Sequence, residues 1–209
     1  MSRRDLLGAT CVLGAGALGI ALCHRLLLAG REVILTARDL DKARDSIGNR
    51  PVAVLPGTEA FRAAQSIFLA VPYPAALRLA TRFPAFAEDK TVVDTTNPLT
   101  PQHDGLLTEA STCGAIEIAR AIPYVRLVKA FNTVRAESLL GTQPDPVHVA
   151  GDEPDSKSAV LGLVAAMGLS GVDVGPLVHA RQLEGLVLLR HAIAARNPTA
   201  IMGEWRACV

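Results

Sequence analysis

Gly14-Ala15-Gly16-Ala17-Leu18-Gly19 has glycines at the spacing of a phosphate-binding turn, G-x-G-x-x-G. Each glycine has a separate task in such a turn. The first permits a sharp change of direction, the second lets the backbone approach a pyrophosphate, and the third lets the following helix pack against the preceding strand. A helix opening at that point offers free N–H groups and the positive end of its dipole to an anion. The motif is informative only between a strand and a helix. Here the apolar run Thr10 to Leu13 precedes it, a helical stretch from Ala17 to Ala29 follows, and Val33 to Thr36 reads as the next strand. All six residues, Ala15, Ala17 and Leu18 included, are therefore candidates to border a dinucleotide pyrophosphate.

The end of that second strand chooses between the two nicotinamide dinucleotides, because an acidic residue there would bind a ribose 2′-OH and repel a 2′-phosphate. Thr36 and Ala37 occupy the place, and Arg38 follows, with Lys42 one helical turn further on. A planar guanidinium and an ammonium suit a dianionic phosphate. Asp39 and Asp41 could neutralise these two cations in a solvated run of charge. The balance favours NADP over NAD.

Other reactive side chains form no recognisable machinery. His24, His103, His148, His179 and His191 lack metal-ligand spacing and read as structural or surface histidines. His103, in the polar loop after Pro98, and His179, at the start of the last helix, are the two to test near a substrate. Arg181 and Glu184 stand three apart and could pair on one helix face, in a packing or dimer role. Lys129 and Asn132 share the Lys-x-x-Asn spacing of β-hydroxyacid dehydrogenases, but there it lies on a long helix. Val125 to Ala130 reads as a strand here. Cys11, Cys23, Cys113 and Cys208 show neither Cys-x-x-Cys nor Cys/His spacing and read as reduced thiols.

These residues need a scaffold, and the sequence supplies an alternation of short apolar runs with helical stretches. The runs are Thr10 to Leu13, Val33 to Thr36, Val52 to Leu55, Ser66 to Val71, Thr91 to Asp94, Val125 to Ala130, Val147 to Gly151 and Gly171 to Val174. Most lack period-2 alternation, as strands buried on both faces should. Helices are expected over Ala17 to Ala29, Leu40 to Ser46, Thr58 to Ala63, Ala75 to Phe83, Gly105 to Arg120, Pro154 to Met167 and Val178 to Ala195. The pattern predicts an α/β fold, a Rossmann-type doubly wound parallel sheet with a small α/β C-terminal extension packed onto it. The Pro/Gly-rich stretch from Gly141 to Pro146 marks the boundary, giving an NADP-binding domain over residues 1–143 and a substrate or dimerisation region over 144–209.

Hydrophobic residues make up 50% of the 209 and charged residues 20%, which supports a sizeable core and excludes a disordered chain. A net charge of +1 with 4% aromatic residues argues against a nucleic-acid-coating protein, which needs cations for phosphates and rings for bases. Ser2-Arg3-Arg4-Asp5-Leu6-Leu7 before an apolar run superficially reads as a twin-arginine signal, but cleavage after that run would remove the glycine turn. No membrane partner and a cytoplasmic location are the expectation.

With these segments assembled, the chain resembles the NADPH-dependent oxidoreductases of the deazaflavin coenzyme F-420. It also resembles the cytosolic domains of the STEAP metalloreductases. The similar segments are Gly14 to Gly19, the strand and loop through Lys42, Phe68 to Pro72, Val92 to Leu99, Val128 to Thr133, Val149 to Asp152, and Asp173 to Leu177 running into Ala180 to Glu184. The resemblance implies that Arg38 binds the 2′-phosphate, and that the loops Ala70 to Tyr73, Thr95 to Pro98 and Ala130 to Thr133 border the ribose and nicotinamide. Ala70, Val71, Pro72, Asn97, Pro98, Ala130 and Asn132 join the candidate cofactor-binding residues on that basis. Ala37 departs from the small polar residue common before the arginine.

Three functions fit these readings. The first is hydride transfer between NADPH and a deazaflavin or flavin-type acceptor, which needs ring positioning and no protein nucleophile. The second is reduction of a small carbonyl or imine, with His103 or Lys129 as proton donor. The third is an NADP-binding sensor without turnover. The apolar width of the last helix, with Leu183, Leu186, Val187, Leu188, Leu189 and Ile193, leads us to expect a homodimer. The tail from Asn197 to Val209, with Met202 and Trp205, is expected to wall the acceptor site.

Overall fold

The computed structural model describes residues 8–82, 84–122, 124–141 and 144–197. Its strands are β1 (Thr10–Leu13), β2 (Val33–Thr36), β3 (Ala53–Val54), β4 (Ser66–Leu69), β5 (Thr91–Asp94), β6 (Arg126–Lys129), β7 (Val147–Gly151) and β8 (Gly171–Asp173). They form one sheet in the order β3-β2-β1-β4-β5-β6-β7-β8. The chain starts in the middle, winds outward to β3, then returns across β1 to continue on the other side. The reversal falls between β1 and β4, the place where open α/β sheets bind ligands beyond the carboxyl ends of their strands.

The helices are α1 (Ala17–Leu28), α2 (Leu40–Ile47), α3 (Gly57–Ala63), α4 (Tyr73–Arg82), α5 (Gly114–Ala121), α6 (Ala136–Leu140), α7 (Pro154–Ala166) and α8 (Ala180–Arg196). Consecutive strand residues feed opposite faces of the sheet. Val12, Leu35, Phe68, Val93 and Val128 join the layer that holds Leu22 and Leu26 of α1 and Val160 of α7. Cys11, Ile34, Ile67, Val92 and Leu127 join the opposite layer, with Ile118 of α5 and Ala180 of α8. Helices on both faces explain why the central residues of β1, β2, β4, β5 and β6 are apolar on both sides of the sheet.

Two expectations are corrected. The helix expected from Gly105 begins at Gly114, and residues 100–113 are irregular. The Thr100 hydroxyl accepts from Asp104 N and Gly105 N, each at 3.2 Å, and the Gly105 carbonyl accepts from Thr100 N at 2.9 Å, so the backbone there closes on Thr100 as a loop and not on residue 109 as a helix. The wholly parallel sheet is interrupted as well: β7 runs antiparallel to β6, and β8 parallel to β7. The connection contains α6, which the sequence reading missed. At five residues it rises about 7 Å. It packs on α1, where the Arg25 guanidinium donates to Leu139 O, instead of returning the chain along β6, so β7 starts beside the carboxyl end of β6.

Candidate active site

The glycine turn has the form its spacing requires. Gly14 has φ +120°, and a Cβ there would lie 2.2 Å from the Ala70 carbonyl oxygen. A Cβ on Gly19 would lie 1.9 Å from the Gly14 carbonyl oxygen. These two glycines let β1, β4 and α1 meet. Gly16 differs, because a Cβ there would meet nothing within 4 Å. Its backbone is open to whatever lies before the turn. Ile20 N donates to Gly16 O at 3.0 Å as the α1 ladder begins, so the N–H groups of Ala17, Leu18 and Gly19 precede it at the positive end of the helix. Ala15 and Leu18 pack against the core beneath.

The end of β2 is tied to this turn by the bond from Gly14 N to Thr36 O at 2.8 Å. Thr36 is buried, Ala37 half-buried, and Arg38 and Lys42 exposed. The neighbouring acids are otherwise engaged. Asp39 caps α2, its Oδ1 accepting from Lys42 N at 3.0 Å, and Asp41 pairs with Arg44 at 2.6 Å. Among the described residues neither Arg38 nor Lys42 is ion-paired. The two cations are available to an anionic ligand.

The loops after β4, β5 and β6 lie along the same edge. Ala70 N donates to Leu13 O at 2.9 Å, and Thr95 Oγ1 donates to Leu69 O at 2.8 Å. Val71 is half-buried and Pro72 exposed before α4 begins at Tyr73. Pro98 and Ala130 are buried. Asn97 and Asn132 bond each other across the β5 and β6 loops: Asn97 Nδ2 donates to Asn132 O, and Asn132 Nδ2 to Asn97 Oδ1, both at 2.9 Å. Asn132 Oδ1 and Thr96 Oγ1 are buried and have no partner among the described residues. Phe131, in the loop after β6, has φ +63° although it is a fully buried aromatic. Such a conformation costs about 1–3 kcal/mol and persists only where surrounding contacts enforce it.

Beneath these loops is a charge cluster that the sequence reading did not assemble. Lys129 Nζ donates to Asp94 Oδ2 at 2.9 Å, to Glu184 Oε1 at 2.8 Å and to Thr96 O at 2.7 Å. All three charged side chains are fully buried. Glu184 also accepts from Gly114 N at 2.9 Å and Ala115 N at 3.2 Å, so it caps the positive end of α5. Burial opposes the charge on Lys129, but Asp94 and Glu184 outweigh it and hold the ammonium above its ordinary pKa of 10.5. A sealed ammonium with all three protons committed is not a proton donor for a substrate, which removes Lys129 from that role. The expected Arg181–Glu184 pair is likewise corrected: Glu184 points into the core, whereas Arg181 is exposed.

The histidines take separate places. His103 and His191 meet edge to face with centroids 4.5 Å apart. His179 is exposed, and its ring bonds the Val174 carbonyl. His148 on β7 lies 3.2 Å from Thr133 Oγ1, and burial, followed by the Arg190 charge, lowers its pKa. The antiparallel course of β7 brings His148 to the ligand edge, which no local signal revealed. Among the described residues no three His, Cys, Asp or Glu side chains converge as metal ligands. No described helix is long and apolar enough to cross a membrane. Cys11, Cys23 and Cys113 are free and buried; burial raises the first two to about 12. Cys208, Met202 and Trp205, with the tail from residue 198, lie outside the described residues.

The strand order, the switch point and the glycine turn define a Rossmann-type dinucleotide-binding scaffold. Residues 9–98 match the family described as NADP oxidoreductase, coenzyme F420-dependent. It is 27% identical over 204 residues to the F420-dependent NADP reductase of Methanothermobacter thermautotrophicus, covering 88% of each chain. It is 28% identical over 183 residues to the rat metalloreductase STEAP3, covering 85% of this chain and 36% of that protein. The chain thus spans about a third of that relative's length. A crystal structure from Arthrobacter sp. FB24, assigned as an F420-dependent NADP reductase, superposes with a TM-score of 0.82 over 92% of this chain and 96% of that one. At 23% identity this last likeness is one of fold.

Proposed function

We propose that the chain transfers hydride between NADPH and a deazaflavin such as F-420, or another flavin-type acceptor. The observation that carries this reading is the open space at Gly16, in a turn where Gly14 and Gly19 are packed shut, beside an Arg38 that has no ion pair among the described residues at the end of β2. Asn132 Oδ1 and Thr96 Oγ1, without partners among the described residues, suit a polar ligand further along the edge. Gly14, Ala15, Gly16, Ala17, Leu18 and Gly19 would hold the pyrophosphate. Thr36, Ala37, Arg38 and Lys42 would hold the 2′-phosphorylated ribose, and Ala70, Val71, Pro72, Asn97, Pro98, Ala130 and Asn132 the nicotinamide end. The reduced nicotinamide, when bound, supplies the hydride. The chain's own part is to bind, to orient the ring against its acceptor and to exclude water, none of which needs a nucleophile. The relatives named as F420-dependent NADP reductases support the choice of acceptor.

Residues 1–143 are the NADP-binding part in this reading, and residues 144–209 extend the sheet and supply the acceptor side. The chain acts as a homodimer through α8, on which Leu189 is 45% exposed. A monomeric mass by light scattering at micromolar concentration would overturn the dimer. Stopped-flow oxidation of NADPH with F-420, FMN, FAD and small carbonyls tests the activity. Fast oxidation by a deazaflavin or flavin is expected; turnover only with carbonyls, or binding without turnover, would overturn the reading.

A further inference from the structure

The Lys129–Asp94–Glu184 cluster carries more buried charge than packing requires. Two carboxylates and one ammonium lose their hydration, and well-packed apolar side chains in such a place are often as stabilising or more so. What apolar residues could not do is direct hydrogen bonds. Lys129 Nζ holds Thr96 by its carbonyl, and Asp94 Oδ1 holds the same residue by its N–H at 2.9 Å. Thr96 is thus fastened from both sides of its backbone.

The next residue is Asn97, whose amide is locked to Asn132 on the neighbouring loop. That loop carries the strained Phe131, and α8 grips it again where Arg190 Nη1 donates to Thr133 O at 2.5 Å. The chain of contacts runs from Glu184 through Lys129, Thr96 and Asn97 to Asn132. It ends on Asn132 Oδ1, a buried acceptor with no donor among the described residues. An unpaired buried acceptor is costly unless a ligand supplies the missing N–H.

We infer that Lys129 and Glu184 are positioning residues, which fix the direction of Asn132 Oδ1 toward a ligand carboxamide N–H and tie that direction to the seating of α8. The inference rests on the NADP(H) reading of the site. A primary carboxamide is the part of that ligand with N–H donors beyond the adenine, so the effect falls on the nicotinamide end and not on the phosphates. Neither residue touches the reacting atoms.

The test compares NADPH with 2′-phospho-ADP-ribose, which has every phosphate but no nicotinamide, by calorimetry on wild-type protein, Lys129→Met and Glu184→Gln. The affinity advantage of NADPH over the fragment should fall by about tenfold in both variants, the scale of one well-placed hydrogen bond, while the fragment binds as before. In the ligand-free protein, amide exchange at residues 95–97 and 131–133 should accelerate in the variants but not at residues 14–19. Glu184→Gln keeps the side chain's size and carries both comparisons should Lys129→Met not fold. An unchanged advantage together with unchanged exchange would overturn the positioning role. If wild-type protein binds neither compound, the NADP(H) reading itself falls, whereas fragment binding with no nicotinamide advantage in wild type overturns the inference alone.

Discussion

Glu184 on the last helix and Lys129 at the end of β6 meet at 2.8 Å with neither side chain exposed to solvent, 55 residues apart in sequence. Their contact joins the C-terminal helix to the ligand edge of the sheet, and it makes the first prediction one of stability. Removing one partner of a buried pair leaves the other charge uncompensated, so Glu184→Ala should cost about 3–5 kcal/mol in urea unfolding. The pH dependence has a definite sign. Because the folded ammonium titrates above its ordinary 10.5, its stabilisation is complete below that pH and is lost as pH rises through the folded value. The wild-type urea midpoint should therefore fall more steeply above pH 10.5 than that of Lys129→Met, and parallel curves would contradict the assignment.

The three glycines of the turn should separate folding from binding. A Cβ at Gly19 collides with the Gly14 backbone, so Gly19→Ala should lower the melting temperature by several degrees. Gly16→Ala adds a methyl to open space, so it should melt like wild type and yet bind NADPH at least tenfold more weakly, because the methyl occupies the approach of the pyrophosphate. Thermal melts and binding isotherms on the same preparations check both. Wild-type NADPH affinity in Gly16→Ala would remove the pyrophosphate from this turn.

Arg38 should discriminate between the dinucleotides. Its guanidinium is not ion-paired among the described residues, and Asp39 and Asp41 are committed elsewhere. Arg38→Ala should weaken NADPH by about 1.5–3 kcal/mol, the range of hydrogen bonds to charged groups, and leave NADH nearly unchanged. Equal losses for both nucleotides would show that Arg38 does not meet the 2′-phosphate.

His148 should set part of the acid limb of the stability curve. Burial, and then the Arg190 charge, lower its pKa below 6.5, so the neutral ring is favoured in the folded state. Its contribution is intact above pH 6.5 and declines as pH falls toward the folded value. His148→Gln should flatten the urea midpoint as pH falls below 6.5 relative to wild type. An unaltered slope would place the titration elsewhere.

Local chemistry determined much of this molecule. The glycine turn, the bounds of β1, β2, β5 and β7, and the missing acid after β2 are all written in runs of a few residues. They depend on steric limits, apolar continuity and charge at one place, which a sequence displays directly. What required tertiary structure was every partnership across the sheet. Asp94 and Lys129 face each other because β5 and β6 pair in that register, and a slip of one residue would have turned them to opposite faces. Asn97 reaches Asn132 through the same register. Glu184 reads locally as one half of a surface pair with Arg181, and only the seating of α8 against α5 turns it inward. The reversal of β7, which carries His148 to the ligand edge, follows from the packing of α6 against α1 instead of along β6. Such contacts join residues 35 to 55 positions apart, so their existence depends on packing that no short window of sequence contains.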